Sequence, residues 1–391
     1  MITVEEALSR VLALAGPVQV EEIALQDALG RVLAAPVQSR MTQPPFNASA
    51  MDGYAIRRVD LGKDLLVVGE AGAGQPWTGT ANPETAVRIF TGAPVPDGYD
   101  HVVIQEHVER QGDTIRISGE NTNINMRAEG SDFKKNSEFF PRHPLTPRDL
   151  ALLAAMNIGR LSVARRPKVA IIAGGDELVP PGAEPAAGQI ICSNNIAVAG
   201  IARLAGADTQ CLPIAADSFE SLRERFNSAA GSDLIVTIGG ASVGDHDLIG
   251  RITEEFGMDR AFYKIRMRPG KPLIAGRIGN SAMIGLPGNP VSSIVCAELF
   301  MRPLLRQMQG LGSEDRLRTG RLGVDIAPEG DRQHYLRASL RREVEDVVVT
   351  PSDDQDSARL AVLARADALL VRPANDPARR AGEKVEYIAL D

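Results

Sequence analysis

The stretch KVAIIAGG, Lys168 to Gly175, decides the fold class of this chain of 391 residues. Its short apolar run, closed by two glycines, is typical of a buried strand that ends in a tight turn. Downstream, strand-like segments (TQCLPIA, DLIVTIGG, SAMIGLPG) alternate with helix-like ones (NNIAVAGIARLAG, FESLRERFNSA, PVSSIVCAELFMRPLLRQMQ). Such alternation indicates a parallel sheet flanked by helices. We therefore expect a doubly wound α/β domain over residues 166–312.

Regions of different composition flank this domain on both sides. Thr3 and Glu6 have the spacing of a capping box and predict an opening helix, and Thr146 before Pro147 predicts another. A third helical segment is expected over 25–33, followed by turn-rich, strand-like pieces. We predict a multidomain α/β protein with a helical domain (1–40 plus 140–165), an inserted β-rich domain (41–139), the α/β domain (166–312) and a C-terminal β domain (313–391).

The composition is that of a globular protein in aqueous solution. Charged residues make up 24% of the chain and hydrophobic ones 44%. No apolar run approaches the roughly 18 residues of a membrane span, and the acidic N-terminus does not resemble a secretory signal, so we expect a cytoplasmic location. The net charge of -7 disfavours a nucleic-acid partner. The three cysteines lack CxxC spacing, which favours free thiols over a zinc site.

Four glycine-rich loops, GGDEL, GGASVGDHD, RPGKP and LPGNP, are predicted at one edge of the sheet, where open α/β domains bind ligands. In the second loop, Gly239, Gly240 and Gly244 leave backbone N–H groups open to a phosphate. Asp245-His246 stands where a P-loop needs Lys and Ser or Thr, and the loop does not read G-x-G-x-x-G, so neither motif applies. The alternative is that these glycines serve only a tight turn.

Acidic residues stand at or near the predicted strand ends. They are Asp176, Glu177, Asp217, Asp245 and Asp247 in the α/β domain, with Asp52 and Asp132 in loops of the β-rich domain. Carboxylates beside phosphates are typical Mg²⁺ ligands, so the set predicts metal-assisted phosphoryl or nucleotidyl chemistry. For any single Asp a helix N-cap is the commoner explanation, and Asp217 before SFESL fits that role.

The stretch YKIRMRPGKPLIAG, Tyr263 to Gly276, carries four cationic side chains around a Pro-Gly turn. As a strand it would align Lys264, Arg266 and Arg268 on one face, with Lys271 after the turn. The pattern predicts either a solvated edge strand or a clamp for a small oxyanion.

Motifs along nearly the whole chain, PPFNASAMDGYA, TGAPVP, GDELVPPG, GGASVGDHD, RPGKP and LPGNPVSS, resemble the MoeA/gephyrin E-domain family, the molybdopterin molybdenumtransferases. The resemblance implies an elongated homodimer of four-domain chains, with a MoaB/MogA-like central domain and sites formed between protomers. It implies that adenylated molybdopterin and molybdate are converted, with Mg²⁺, to molybdenum cofactor and AMP. It also implies a molybdopterin adenylyltransferase as upstream partner, whereas no nucleic acid or membrane partner is expected.

The resemblance further implies roles for individual residues. Catalytic roles are implied for Asp52, Thr91, Asp132, Glu177, Asp217, Asp247, Lys264 and Lys271. Contacts to the pterin substrate are implied for Gly239, Gly240, Ser242, Gly244, Arg268, Pro287, Gly288, Asn289, Ser193, Asn194, Arg337 and Ser357. Metal ligation is implied for Asp217, Asp247 and Glu177. Because family sites form between protomers, Asp52 and Thr91 would serve the partner's α/β domain.

Some positions depart from the family's pattern. Gly174-Gly175 stands where many members have Thr-Gly, Cys192 where an Asp is frequent, and Ser131 where Glu is usual. Arg268 replaces a common Lys, which keeps the charge and adds a planar fork. None of these changes touches the acidic set, so activity is expected.

Two other functions fit parts of the sequence. A molybdopterin adenylyltransferase, whose fold is related to the α/β domain, needs only that domain, so the other regions disfavour it. A catalytically silent scaffold is disfavoured because Asp52, Asp217 and Asp247 are retained.

Overall fold

The computed structural model describes residues 1–118, 123–240, 248–312, 314–344 and 346–390. The chain forms two units, a large unit of Met1–Glu21 with Val163–Asp391 and a small unit of Glu22–Ser162. The fold is multidomain α/β, as predicted. Four residues singled out from the sequence, Ser242, Gly244, Asp245 and Asp247, lie outside the described residues.

A six-stranded sheet forms the centre of the large unit. Its strands, in spatial order, are Asp208–Cys211, Lys168–Ala173, Leu234–Ile238, Ser281–Leu286, Ile274–Ile278 and Asp259–Tyr263. The first four are parallel, and the last two join by antiparallel pairing. The strand formed by KVAIIA is buried on both faces, which explains its unbroken apolar run and confirms the predicted strand.

Helices cover both faces of this sheet, which confirms the doubly wound arrangement. One face is covered by Val4–Leu12, Asn194–Leu204, Pro290–Cys296, the π-helical turn Ala297–Met301 and Arg302–Met308. The other face is covered by Phe219–Ser228 and Leu248–Glu255. Val169 and Ile171 pack toward the first layer, whereas Ala170 and Ile172 pack toward the second, as the period of two along a strand requires. A short parallel pair, Leu178–Val179 with Ile190–Ile191, lies beside the sheet's loops.

The C-terminal part of the large unit is a closed β-barrel. Its strands, in spatial order, are Gln333–Arg342, Val347–Pro351, Leu317–Leu322, Lys384–Ala389 and Ala368–Arg372, and the last pairs with the first. Side chains such as Leu336, Val349 and Tyr387 fill its interior. A single helical turn, Leu360–Leu363, precedes the strand Ala368–Arg372. The β structure expected after Gly312 is therefore confirmed.

The basic stretch is not one continuous strand, so the predicted row of three cations is wrong. Strand Asp259–Tyr263 ends before Lys264, whose φ of 74° is left-handed. The next strand is only Met267–Arg268, and it pairs with the barrel. The chain leaves the sheet here because distant groups take its hydrogen bonds, as when the Arg266 N–H donates to the Ile2 carbonyl at 2.8 Å.

The small unit is built on a second six-stranded sheet. Its strands, in spatial order, are His101–Ile104, Gly53–Ile56, Thr85–Ile89, Asp64–Ala71, Thr114–Ile117 and Val108–Gln111. Short ladders pair Ala48–Ser49 with Met126–Arg127 and Val37–Gln38 with Glu138–Phe139. Strand Val20–Ala24 pairs with Arg160–Ala164, and the boundary of the small unit falls within both of these strands. Single 3-10 turns lie at Leu25–Asp27, Arg58–Asp60 and Gln105–His107. No helix in the described ranges of the chain has the length and apolarity to cross a membrane.

Two of the three predicted helices in the flanking regions form. Thr3 caps Val4–Leu12 through the Glu6 N–H at 3.1 Å, and Thr146 begins Pro147–Ala155 with a complete capping box. The predicted helix over 25–33 is wrong, since only the 3-10 turn at its start forms. Long-range main-chain bonds between Leu145 and residues 30 and 31, both at 2.8 Å, replace the bonds that a helix would make.

Candidate active site

A cavity of about 920 Å³ opens at the carboxyl ends of the parallel strands in the large unit. Predicted site residues line it, namely Glu177, Asp217, Gly239, Gly240, Pro287, Gly288, Asn289, Ser193 and Asn194. Pro272, from the RPGKP loop, also lines it. Parallel strands bring their carboxyl ends to one edge, so loops far apart in sequence converge there. The predicted gathering of the glycine-rich loops is therefore confirmed for their described residues.

The loop Gly174–Glu177 shapes the acidic side of this cavity. Gly175 has φ of +149°, and a Cβ there would lie 2.5 Å from Glu177 Oε2. Glycine is therefore required for the carboxylate of Glu177 to fold back over the loop. The neighbouring Asp176, which the sequence placed in the acidic set but gave no supporting role, accepts the Asp217 N–H at 3.0 Å through Oδ1. This bond joins the two acidic loops of the cavity.

Asp217 is not a helix N-cap, so that alternative interpretation is wrong. Ser218 caps the helix Phe219–Ser228, and its side chain accepts the Ser221 N–H at 3.2 Å. Ser218 is the better cap because its short hydroxyl reaches the first turn from an extended backbone. The Asp217 carboxylate therefore has no capping role and stands at the cavity wall.

The loops after two neighbouring strands lie against each other at the cavity floor. Gly239 and Gly240 have φ of +83° and +68°, which favour glycine. A Cβ at Gly240 would lie 2.8 Å from Ile249 Cγ1, and one at Gly288 would lie 3.6 Å from Gly239 Cα. Small residues here keep the backbone open toward the cavity, as a phosphate site requires. The remainder of the loop, with Ser242, Gly244 and Asp247, is not among the described residues.

Side-chain amides tie the remaining cavity loops together. Asn194 Nδ2 donates to the Gly288 carbonyl at 2.7 Å. Asn289 opens the helix Pro290–Cys296 and donates through Nδ2 to Ser357 Oγ at 3.1 Å. Ser357 also accepts the Val291 N–H at 3.1 Å through its carbonyl. The loop that carries Ser357 is thereby attached to the start of the helix at the cavity.

The predicted cations are not among the residues that line this cavity, although Lys271 directly precedes Pro272, which does line it. Arg268 and Lys271 are exposed, and no carboxylate within the described ranges pairs with either. Lys264 is half-buried, with Nζ 5.0 Å from the Tyr263 ring centroid. The turn between Arg268 and Lys271 is held by Gly270, which packs on the fully buried Cys296. The two exposed cations are therefore available to an anion.

Arg337 is fully buried, which is unusual for an arginine. Its Nη2 donates to the Asp356 carbonyl at 3.0 Å, whereas Nε and Nη1 have no partner among the described residues. Burial lowers the pKa of Arg337, and the charge of Arg268 lowers it further.

His334 is a second buried residue of the barrel, and the sequence did not point to it because a lone His carries no motif. It lies opposite Arg268 in the strand register, and its Nδ1 is 2.9 Å from Glu329 Oε1. Burial lowers the pKa of His334.

The other predicted residues lie in the small unit. Thr91 donates to Asp52 Oδ1 through its N–H at 2.8 Å and through its hydroxyl at 2.7 Å. These bonds, with the nearby charge of Arg88, hold the pKa of Asp52 below its usual range. Asp132 is fixed through its main chain, whose N–H donates to the Gln43 carbonyl at 3.1 Å. The structure thus brings Asp52 and Thr91 into direct contact.

The donor set of the cavity suits a hard cation. Mg²⁺ prefers oxygen ligands, keeps several waters and commonly takes one or two protein carboxylates together with substrate phosphates. Glu177 and Asp217 supply two carboxylates to the lining of the cavity. Within the described ranges, which leave out Asp247, no group of three or more His, Cys, Asp or Glu side chains forms a metal site.

Family models cover three segments of the chain. Residues 2–157 match the MoeA N-terminal region (domain I and II). Residues 170–307 match a probable molybdopterin binding domain, and residues 319–390 match the MoeA C-terminal region (domain IV).

Named relatives match most of the chain. A molybdopterin molybdenumtransferase of Nostoc sp. is 33% identical, covering 95% of this chain and 88% of its own length. Another, from Haemophilus influenzae, is 37% identical and covers 79% of this chain and 78% of its own length. The crystal structure of a molybdopterin biosynthesis MoeA protein from Pyrococcus horikosii has a TM-score of 0.86 and 29% identity, covering 100% of this chain and 99% of that one.

Proposed function

We propose that this chain, which belongs to the MoeA family of molybdopterin molybdenumtransferases, inserts molybdate into adenylated molybdopterin and releases AMP. In this reaction the phosphoanhydride between AMP and the pterin phosphate is hydrolysed with one water. The two dithiolene thiols then give their protons to one oxygen of molybdate, which leaves as water, and their sulfurs become ligands of the Mo(VI) centre in the molybdenum cofactor. The role in molybdenum cofactor biosynthesis follows from the family, and the adenylated substrate is our proposal.

The observation that carries the proposal is the meeting of two carboxylates with glycine-rich loops in one cavity. Glu177 and Asp217 line the same cavity as the backbone of Gly239 and Gly288. The absence of side chains at Gly240 and Gly288 leaves room for phosphate oxygens against the backbone of these loops. A phosphoanhydride held there would have its metal beside the carboxylates.

Mg²⁺ would be held by Glu177 and Asp217, with Asp247 as the third ligand implied by the family. When bound, it would supply charge neutralisation at the phosphate oxygens. Asp176 would fix the orientation of the Asp217 loop through its bond to the Asp217 N–H. The residues of the chain would thus hold the phosphoanhydride of the substrate in one orientation for hydrolysis.

Molybdate would be attracted by the cations beside the cavity. Arg268 and Lys271 are exposed, and the buried Arg337 keeps two donor nitrogens without a partner in the described part of the chain. An unpaired buried guanidinium is costly, and a small dianion would relieve that cost. Ser357 would add a hydroxyl donor on the same side, and Lys264 a further positive charge.

The experiment that tests the function follows AMP release and cofactor formation from adenylated molybdopterin, molybdate and Mg²⁺. Asp217→Asn should lower the rate by about 100-fold or more, as loss of a group that stabilises developing charge typically does. Asp208→Asn is the matched control, because Asp208 is an exposed carboxylate at the opposite, amino end of a strand in the same sheet. Substrate binding without AMP or cofactor would contradict the proposal.

We also propose that the active form is a homodimer in which Asp52, Thr91 and Asp132 act on the partner's cavity. Subunit exchange between Asp52→Asn and Asp217→Asn proteins tests this arrangement. Half of the exchanged dimers would be mixed, each with one intact site of two, so about one quarter of the wild-type rate should return. No recovery after demonstrated exchange would contradict a site shared between protomers. An adenylyltransferase supplying the substrate is the expected upstream partner.

A further inference from the structure

Arg88 lies in the small unit beside the Asp52–Thr91 pair and had no role assigned from the sequence. It is half-buried on strand Thr85–Ile89, directly opposite Tyr54 in the antiparallel register. Its guanidinium carbon lies 5.2 Å from the Tyr54 ring centroid and 4.7 Å from that of Phe90. Both rings are within the range of a cation–π contact. Phe90 immediately precedes Thr91, so the cation is held between the two chain segments that carry the pair.

The hydrogen bonds of Arg88 reach the main chain around Asp52 by two routes. Nη1 donates to the Gly53 carbonyl at 2.9 Å. Nη2 donates to Gln105 Oε1 at 2.7 Å, and the Gln105 N–H in turn donates to the Asp52 carbonyl at 3.1 Å. The planar fork of an arginine presents two separate nitrogens to the two acceptors, whereas a lysine has a single nitrogen. Arg88 therefore fixes the two carbonyls that follow the Asp52 side chain, Gly53 directly and Asp52 through Gln105.

The charge of Arg88 also acts on the Asp52 carboxylate without a direct ion pair. Within the described ranges, Arg88 is in no salt bridge, and its two measured bonds go to a carbonyl and an amide oxygen. The Thr91 bonds are the main reason that the pKa of Asp52 is lowered, and the Arg88 charge contributes as well. Because these hydrogen-bond partners are neutral, the positive charge of Arg88 is not cancelled and still attracts the Asp52 carboxylate.

We propose that Arg88 is the positioning residue that holds Asp52 and Thr91 in their productive geometry. Arg88 does not touch the substrate and acts through the pair. The proposal rests on the proposed function, because it takes Asp52 to be a residue of the site.

Full-length Arg88→Met and Arg88→Lys proteins test the proposal by rate and by the titration of Asp52. Arg88→Met should lower kcat for AMP release by about 10- to 100-fold, since small misplacements cost that much, with little change in KM. Its Asp52 carboxyl should titrate at higher pH, measured by ¹³C NMR with Asp52→Asn to assign the signal. Arg88→Lys should return the titration toward the wild-type value, because the charge is restored, but should leave kcat low.

The matched control is Arg116→Met in the same unit. The Arg116 side chain is 71% exposed and donates two hydrogen bonds to the Asp64 carboxylate, at 2.7 and 2.8 Å. Its strand, Thr114–Ile117, lies three positions from strand Gly53–Ile56 in the sheet. The Arg116→Met variant should leave both kcat and the Asp52 titration unchanged. An unchanged titration and rate in folded Arg88→Met, or full recovery of kcat in Arg88→Lys, would overturn the positioning role. Full activity of Asp52→Asn would instead overturn the proposed role of Asp52 in the site, and absence of AMP release in the wild type would overturn the proposed function, while the titration still decides whether Arg88 acts on Asp52.

Discussion

Replacing Gly270 with Ala should destabilise the large unit by about 2 to 6 kcal/mol, from backbone strain and overpacking together. The backbone there has φ of +108°, and an L-residue in such a region is strained by about 1–3 kcal/mol. An added Cβ would collide with Cys296 Sγ and lie 2.6 Å from Met267 Cε. Both neighbours are fully buried, so they can move only by repacking, which costs about 1–3 kcal/mol.

Urea unfolding followed by far-UV circular dichroism measures this loss, because most of the described α-helices lie in the large unit. Gly279→Ala is the matched control. Its φ is +55° and no atom lies within 4 Å of an added Cβ, so only about 1–2 kcal/mol of strain should appear. Adding Cys296→Ala to Gly270→Ala should cost less than the sum of the single changes, since it removes a colliding atom. Equal losses for Gly270→Ala and Gly279→Ala would refute this explanation of the turn.

Three further perturbations have defined outcomes. Lys271→Ala should raise the molybdate concentration for half-maximal rate by about 10-fold or more, the usual loss for a charged hydrogen bond. The small unit should lose stability as pH falls below the ordinary pKa of 6.5, because burial lowers the pKa of His101 and the unfolded chain takes up the proton first. It should lose more between pH 3.8 and about 2, since Lys63 and then Arg57 lower the pKa of Asp60 to about 2.

Each of these outcomes has a control. Arg266→Ala removes a neighbouring exposed cation and should change the molybdate requirement little. Equal effects of Lys271→Ala and Arg266→Ala would mean that the stretch from Tyr263 to Gly276 is solvated surface and not an anion site. The single tryptophan, Trp77, lies 6.0 Å from the Tyr99 ring in the small unit, and its fluorescence reports that unit's unfolding. His101→Phe should flatten the urea midpoint between about pH 7 and 5, and Asp60→Asn between about pH 4 and 2. A wild-type slope in either variant would contradict the assignment.

The local hydrophobic pattern was sufficient for elements whose burial is simple. Strand Lys168–Ala173 is buried on both faces and is an unbroken apolar run, whereas helix Asn194–Leu204 buries one stripe and shows the helical period. The parallel order then brought the loops to one edge, which made the cavity residues Glu177 and Gly288 predictable.

Elements governed by distant hydrogen bonds could not be predicted in the same way. The apolar pattern of 25–33 resembles a helix, but Leu145 takes the main-chain bonds of residues 30 and 31. The row of cations after Tyr263 fails because Lys264 adopts a left-handed backbone and Arg266 bonds Ile2. In both cases the deciding partner is more than 100 residues away along the chain.

The supporting residues of the site were missed for a related reason. Asp176 bonds Asp217 across 41 residues, and Arg88 bonds Gly53 across 35. The motifs name the residues that carry chemistry, whereas their supports are defined only by distances between loops. Arg337 was implied by resemblance, but its burial and its unpaired nitrogens are visible only in the folded barrel.

The most direct test is the stoichiometry of AMP to molybdenum cofactor. Purified protein would be mixed with adenylated molybdopterin and Mg²⁺, with and without molybdate, and both products counted over a single turnover. We predict one AMP for each cofactor formed, with cofactor absent when molybdate is omitted and both products lost in Asp217→Asn. Cofactor formed without AMP, or wild-type yields of both in Asp217→Asn, would contradict the proposed reaction at this cavity.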